Sequence, residues 1–418
     1  MKKVLMILGL IGLAAGLGFA RGQEEKSTKP VTLTFYHIAT QTHVLYLNPI
    51  KEAFQKAFPG ITLQSVEVTA GGYEALTQKI LLGLASGEPV DIGQTGYDQL
   101  RTMVQSGKAL ALDPFIASDA GFKKDNLFPA MMDLGRLDGK QWMVPIGTST
   151  PAMYVNMDLF RNVGLDPENP PKSWAEARAA AEKLKAAGHQ GIFWGWQVTG
   201  NWIFQAMLDN LGGKLVNDAG NQVAFNDEKG LKVLEHLSDL VSNGLMPASD
   251  QGLALFVAGN LGMWIDSSFQ RVNTPQQVKF GVRMAPIPTP EGTVPKVAAG
   301  GNGAMIFSTD PARQKAAWQF IRWMTEEDAS RIVADKSGYT PANQAVIRAL
   351  TAQFASDANY KVTLDQAARV VPWYSWPGKN SNKIAKSLRD MQEAVVLGKK
   401  APKKALDEAA AEINALLK

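Results

Sequence analysis

The chain has 418 residues, 43 Lys and Arg against 39 Asp and Glu, four His and no Cys. The missing cysteine excludes disulfides, thiolate metal sites, cysteine nucleophiles and a lipid-anchoring cysteine. The near-neutral charge argues against nucleic acid as a partner, and the length is a soft prior for two or three domains.

Lys2 and Lys3 precede a charge-free run from Val4 to Ala20 that closes on Gly18-Phe19-Ala20. This is the three-part pattern of a cleavable signal peptide over residues 1–20. An uncleaved anchor fits less well. The run is at the short edge of what spans a bilayer, and small residues follow it rather than a basic stop.

A polar leader then gives way to a strand at Val31–His37. Asn48-Pro49 predicts a helix start, with Ile50, Phe54, Ala57 and Phe58 on one face and Pro59-Gly60 as the stop. Ile61–Val68 reads as a strand, Tyr73–Ala85 as a helix and Val90–Ile92 as a strand. This alternation implies an α/β domain with a largely parallel sheet, whose ligand loops lie beyond the carboxyl ends of the strands. Ser173 and Glu176 form a capping box ahead of an Ala-rich helix. Phe225–Gly244 predicts a helix pair, Val278–Pro286 a strand, and Asp310-Pro311 another helix start. Two amphipathic helices close the chain, one with Ile384 and Leu388, the other with Leu406 and Ile413.

Catalytic patterns are sparse. No His pair has metal-ligand spacing, no Gly-x-Ser-x-Gly elbow occurs, and Gly300-Gly301-Asn302-Gly303 lacks the Lys and Ser/Thr of a phosphate loop. No metal or cofactor is expected. A carboxylate pair for glycoside hydrolysis remains an alternative, since such pairs are distant in sequence.

Four segments carry a resemblance. Ile146–Phe160 holds a Tyr-x-Asn-x-Asp run, and Gly164–Trp174 a Gly-Leu-Asp-Pro…Ser-Trp motif. Phe256–Met263 fits Phe-x-x-Gly-x-x-Gly-Met, and Lys336–Pro341 is a Lys-Ser-Gly-Tyr-Thr-Pro turn. In this order they resemble the family 1 extracellular solute-binding proteins of ABC importers, from about residue 33 to the C-terminus. The resemblance implies a two-lobed type II α/β fold, each lobe a mostly parallel sheet flanked by helices. It implies lobes at 31–150 plus 294–342 and 151–293 plus 343–418, with chain crossings near Thr150, Thr293 and Ala342. It also implies a monomer that hands a small ligand to membrane permease subunits without catalysis. With no cysteine for an anchor, the expected location is the periplasm.

The chain looks most like the glycerol-3-phosphate-binding subgroup. By that resemblance Tyr73, Ser149, Ser267, Gly301 and Tyr339 are ligand contacts and Trp196 is a wall residue. Tyr97 falls where the subgroup has Glu, and Asp98 can supply that carboxylate. The subgroup's phosphate-holding Arg is missing, because Trp376 takes the nearest position and no Arg lies between Arg369 and Arg389. A phosphate favours a planar bidentate cation, whereas a sugar takes aromatic rings on its C–H faces and short polar groups at its hydroxyls. Trp202 and Trp373, with Gln94 and Asp266, add to both sets. A carbohydrate or polyol ligand is therefore expected, with glycerol-3-phosphate or a phosphodiester as the alternative, for which Lys379 or Arg271 would replace the Arg.

Overall fold

A computed structural model describes residues 30–198, 201–367 and 369–418. The expected signal peptide lies outside them. Two mixed sheets, each with helices packed on it, form two lobes.

The first sheet begins with strand β1 (Val31–Ile38), which pairs in parallel with β2 (Ile61–Val68) and β3 (Ile92–Gly96). A short β4–β5 hairpin (Arg136–Leu137, Lys140–Gln141) precedes β6 (Val144–Ser149). The second sheet is built from β7 (Pro151–Asn156), β8 (Gln190–Trp194), β9 (Leu261–Ser267) and β10 (Val282–Pro286), in the order β10-β7-β9-β8. The chain then returns to the first sheet as β11 (Val297–Ile306), antiparallel to both β3 and β6, and later as β12 (Val370–Pro372), parallel to β11. Pairing is thus less uniformly parallel than the alternation suggests. In the second sheet β7 is antiparallel to both neighbours, and only β8–β9 is parallel.

Helix Gln41–Ala57 starts well before the expected Asn48-Pro49, and Pro49 lies inside it. Tyr46, Leu47, Ile50 and Phe54 are fully buried on one stripe that runs across the proline. Burying each large apolar side chain contributes roughly 1.5–3 kcal/mol, enough to offset the hydrogen bond the proline removes. Helix Gly72–Ser86 matches its expectation. On the second lobe the capping box at Ser173 and Glu176 opens helix Trp174–Ala186, and Trp174 stacks on His236 at 4.0 Å. The expected helix pair at 225–244 is a single helix, Glu228–Ser242, capped by Asp227. The terminal helices Ser381–Val396 and Pro402–Leu416 pack with it.

The chain passes between the sheets at Thr150 and again between Pro286 and Val297. Near Ala342 the picture differs from expectation. Phe128 N–H donates to the Ala342 carbonyl, and Leu127 bridges Asn343, so this segment stays on the first lobe. The chain reaches the second sheet only at helix Ala358–Ala367, where Asn359 bonds both Met284 N–H and the Val282 carbonyl. It then returns for β12 before Trp373 joins the second core.

Candidate functional site

The carboxyl ends of β1 and β3 meet the middle of β11, and the side chains there form one connected network. Gln94, inside β3, accepts from Ile38 N–H at 2.9 Å. Its amide donates to Tyr46 OH at 3.1 Å and to Asn302 Oδ1 at 3.0 Å. Asn302 in turn donates to Tyr73 OH at 2.8 Å, and the Tyr73 and Tyr339 hydroxyls lie 3.2 Å apart. Phe269 reaches in from the turn that follows β9 and packs on Tyr339 at 4.4 Å and on His43 at 5.1 Å. Both lobes therefore meet at this cluster.

Burial shapes the chemistry. It raises the Tyr73 and Tyr46 hydroxyls well above the usual phenol range and Tyr339 to about 12, so all three are neutral donors. It lowers His43 to about 4, which leaves that imidazole uncharged at neutral pH. Among the described residues no Lys or Arg bonds to this network.

Beyond β3 the chain turns sharply at Tyr97–Gln99. Tyr97 OH donates to the Gly147 carbonyl at 3.1 Å. A methyl group at Gly96 would fall 2.5 Å from Asp98 Oδ1 and 2.7 Å from the Tyr73 ring, so the carboxyl and the phenol are neighbours. Asp98 takes one bond from Gln99 at 2.8 Å, while its Oδ1 is buried without a protein partner. Burial, with the nearby Glu74 charge, pushes it up to about 7. Asp266, near the end of β9, is raised by burial to about 7 as well. Buried polar atoms are normally paired. His43 Nε2, Asp98 Oδ1, Gln99 Oε1 and Trp376 Nε1 are not.

Ser149 ends β6 opposite Gly300. A Cβ at Gly300 would strike Ser149 Oγ at 2.8 Å and the Trp202 ring at 2.7 Å, and one at Gly301 would sit 2.2 Å from the Gly147 carbonyl. Gly301 also has φ 112°, which only glycine adopts without strain. Trp376 packs edge-on to Tyr374 at 4.9 Å. Between them Ser375 donates to the Asp98 carbonyl at 2.5 Å and accepts from Arg101 N–H at 3.0 Å, which draws this loop onto the first lobe.

The structure thus brings together Tyr73, Tyr339, Tyr97 and Asp98, with Ser149 and Gly301 along the adjoining strands and Trp376 in the facing loop. Two expected residues bond elsewhere. Trp196 donates to the Ser249 carbonyl at 3.2 Å, and Ser267 Oγ caps Phe269 N–H at 3.2 Å. Neither bonds the tyrosine network. Sequence reading missed His43, Tyr46 and Asn302. The first two lie ahead of the expected helix start, and Asn302 lies in the glycine run set aside for lacking a phosphate loop's lysine.

Residues 40–331 match the family of bacterial extracellular solute-binding proteins. A binding protein of Brucella abortus is 27% identical over 97% of this chain and 98% of its own length. The sn-glycerol-3-phosphate-binding periplasmic protein UgpB of Pectobacterium atrosepticum is 26% identical over 89% of this chain and 88% of its own. Among solved structures, an ABC substrate-binding protein of Listeria monocytogenes in complex with cycloalternan is similar with a TM-score of 0.81, at 21% identity over 93% of this chain and 99% of that one. With more than half its length matched in this way, the chain belongs to the bacterial extracellular solute-binding protein family.

Proposed function

We propose that the protein is the periplasmic binding component of an ABC importer, that it captures a sugar between its lobes, and that it hands the sugar to the membrane permease. The lobes are taken as 31–150 plus 294–342 and 151–293 plus 343–418, except that residues 343–357 stay with the first lobe and β12 is lent to the first sheet. Tyr73, Tyr97, Asp98, Ser149, Gly301, Tyr339 and Trp376 line the cleft in this reading. Ser267 and Trp196 support it from the second lobe. The carrying observation is the charge of the site. Neutral phenols, a neutral imidazole and the Asp98 carboxyl, raised to about 7, surround it, and among the described residues no cation bonds the network. Such groups serve hydroxyls well and an anion poorly. Ligand bound to both lobes would stabilise the closed form by its differential affinity, and that form would be the one presented to the permease.

A glycerol-3-phosphate or glycerophosphodiester ligand is the second reading, favoured by the Pectobacterium relative. It needs a cation in the cleft. Arg271 is instead half-buried with its guanidinium 3.9 Å over the Tyr360 ring, and Lys379 is exposed. A thermal-shift screen decides between the two, because a bound ligand raises the melting temperature by mass action. Sugars are expected to raise it and glycerol-3-phosphate to leave it unchanged; the reverse pattern overturns the sugar assignment. We further propose a monomer that binds without turnover. Size-exclusion chromatography and recovery of unaltered ligand after long incubation check these points.

A further inference from the structure

Asp98 and Gln99, in the turn that follows β3, are 5% and 2% exposed. Gln99 Nε2 donates to Asp98 Oδ2 at 2.8 Å, so the amide and the carboxyl act as one unit. That unit keeps two buried acceptors, Asp98 Oδ1 and Gln99 Oε1, with no donor for either. A second carboxyl lies near it. Glu74, in the first turn of helix Gly72–Ser86, is half-buried, and burial raises its carboxyl above the usual range. Burial first, and then the Glu74 charge, raise Asp98 in the same way. Neither carboxyl makes an ion pair among the described residues. Arg101 Nε is engaged by the Ser375 carbonyl at 3.3 Å, and Arg389, on helix Ser381–Val396, acts on Glu74 through its field without bonding it.

The arrangement lacks donors and positive charge together. A hydroxyl of a neutral sugar brings one donor and no charge. A metal ion brings charge, but among the described residues no three acidic or His side chains gather to hold one. An ammonium group brings three donors and a full charge, and the Tyr73 ring beside Asp98 attracts it further. Unpaired carboxylates are costly to bury, and a bound cation offsets that cost.

We propose that the ligand is an amino sugar whose free ammonium group sits against Asp98 and Gln99, with Glu74 supplying the second negative charge. The proposal rests on the sugar reading above and narrows its substrate class. Gln99 then has a role of its own, since it holds the carboxyl through Oδ2 and leaves Oδ1 to the ligand. Titration calorimetry of the full chain tests this with glucosamine, galactosamine and mannosamine, with the parent sugars and N-acetyl forms of each, and with sn-glycerol-3-phosphate. At least one amino sugar is expected to bind about tenfold or more tighter than both its parent and its N-acetyl form, as close charge pairs at interfaces do. Binding at pH 6.5, where Asp98 largely holds its proton, should expel that proton to the buffer, as a heat that changes with the buffer's ionisation enthalpy. Asp98→Asn, which keeps the shape of the carboxyl, should bring the ratio of amino-sugar to parent affinity close to one and remove the proton release. Glu74→Gln should lower the ratio in the same direction. If parent sugars bind as tightly as their amines, or the preference survives both variants, the ammonium assignment is wrong while the sugar reading stands. Binding of glycerol-3-phosphate with neither sugars nor amino sugars bound overturns the sugar reading itself, and the ammonium assignment with it.

Discussion

Asn302 joins two strands and two phenols. It accepts from Gln94 and donates to Tyr73, and both bonds are buried. Asn302→Leu should therefore destabilise the protein by about 1–3 kcal/mol in urea unfolding, because it leaves a buried donor and a buried acceptor unmatched. Asp98 gives a prediction of the opposite sign. An unfolded aspartate titrates near 3.9, and folded Asp98 holds its proton up to about pH 7. Between those values the folded chain binds a proton that the unfolded chain releases. Acidification from about pH 7 towards 4 therefore stabilises the fold through this residue, and raising the pH removes that stabilisation. Asp98→Asn should raise the ligand-free melting temperature at pH 7.5 and reduce its rise on acidification, as scanning calorimetry would record. Asp266 keeps part of the rise in the variant. Tyr73 and Tyr339 were named from sequence by resemblance and Asp98 as the neighbour of a departing position, and the structure places the three side chains together. The partners that orient them were not named, since a hydrogen bond between positions 302 and 73 leaves no local trace.

The same contrast holds for the elements. Caps are local, and the capping box at Ser173 and the Asp310 cap both form as their sequences predict. Ser173→Ala should cost about 1 kcal/mol of stability. Proline at 49 is also a local signal, but a long-range stripe overrides it. Pro49→Ala restores a backbone donor within an established helix, and should stabilise the chain by about 1–2 kcal/mol in the same unfolding assay, part of the restored bond being offset by a freer unfolded chain. β12 escaped sequence reading altogether. It is three residues long, ends in proline, and exists because β11 offers it a backbone edge.

At the scale of the molecule, direct hydrogen bonds tie the loop of the second core to the first lobe. The Ser375 hydroxyl holds the loop of the second core to the first lobe through the Asp98 carbonyl and Arg101 N–H, and Thr102 donates to Ser381 at 2.8 Å close by. Ser375→Ala should shift the ligand-free protein toward the open form, and the apparent affinity should fall in proportion to the closed population. Small-angle scattering would record the larger radius of gyration and calorimetry the weaker binding. The two-lobed plan was legible from ordered motifs; the route of the last passage was not, because it turns on the pairing of β12. The indoles along this seam have a practical consequence. Trp202 and Trp373 lie 5.9 Å apart, and Trp202 donates to the Ala298 carbonyl at 3.1 Å, across the line along which the lobes would part. Their surroundings change with that motion. The protein therefore carries its own optical gauge, and its ultraviolet emission can report loading and release in real time without a dye, with Trp373→Phe identifying which indole supplies the signal.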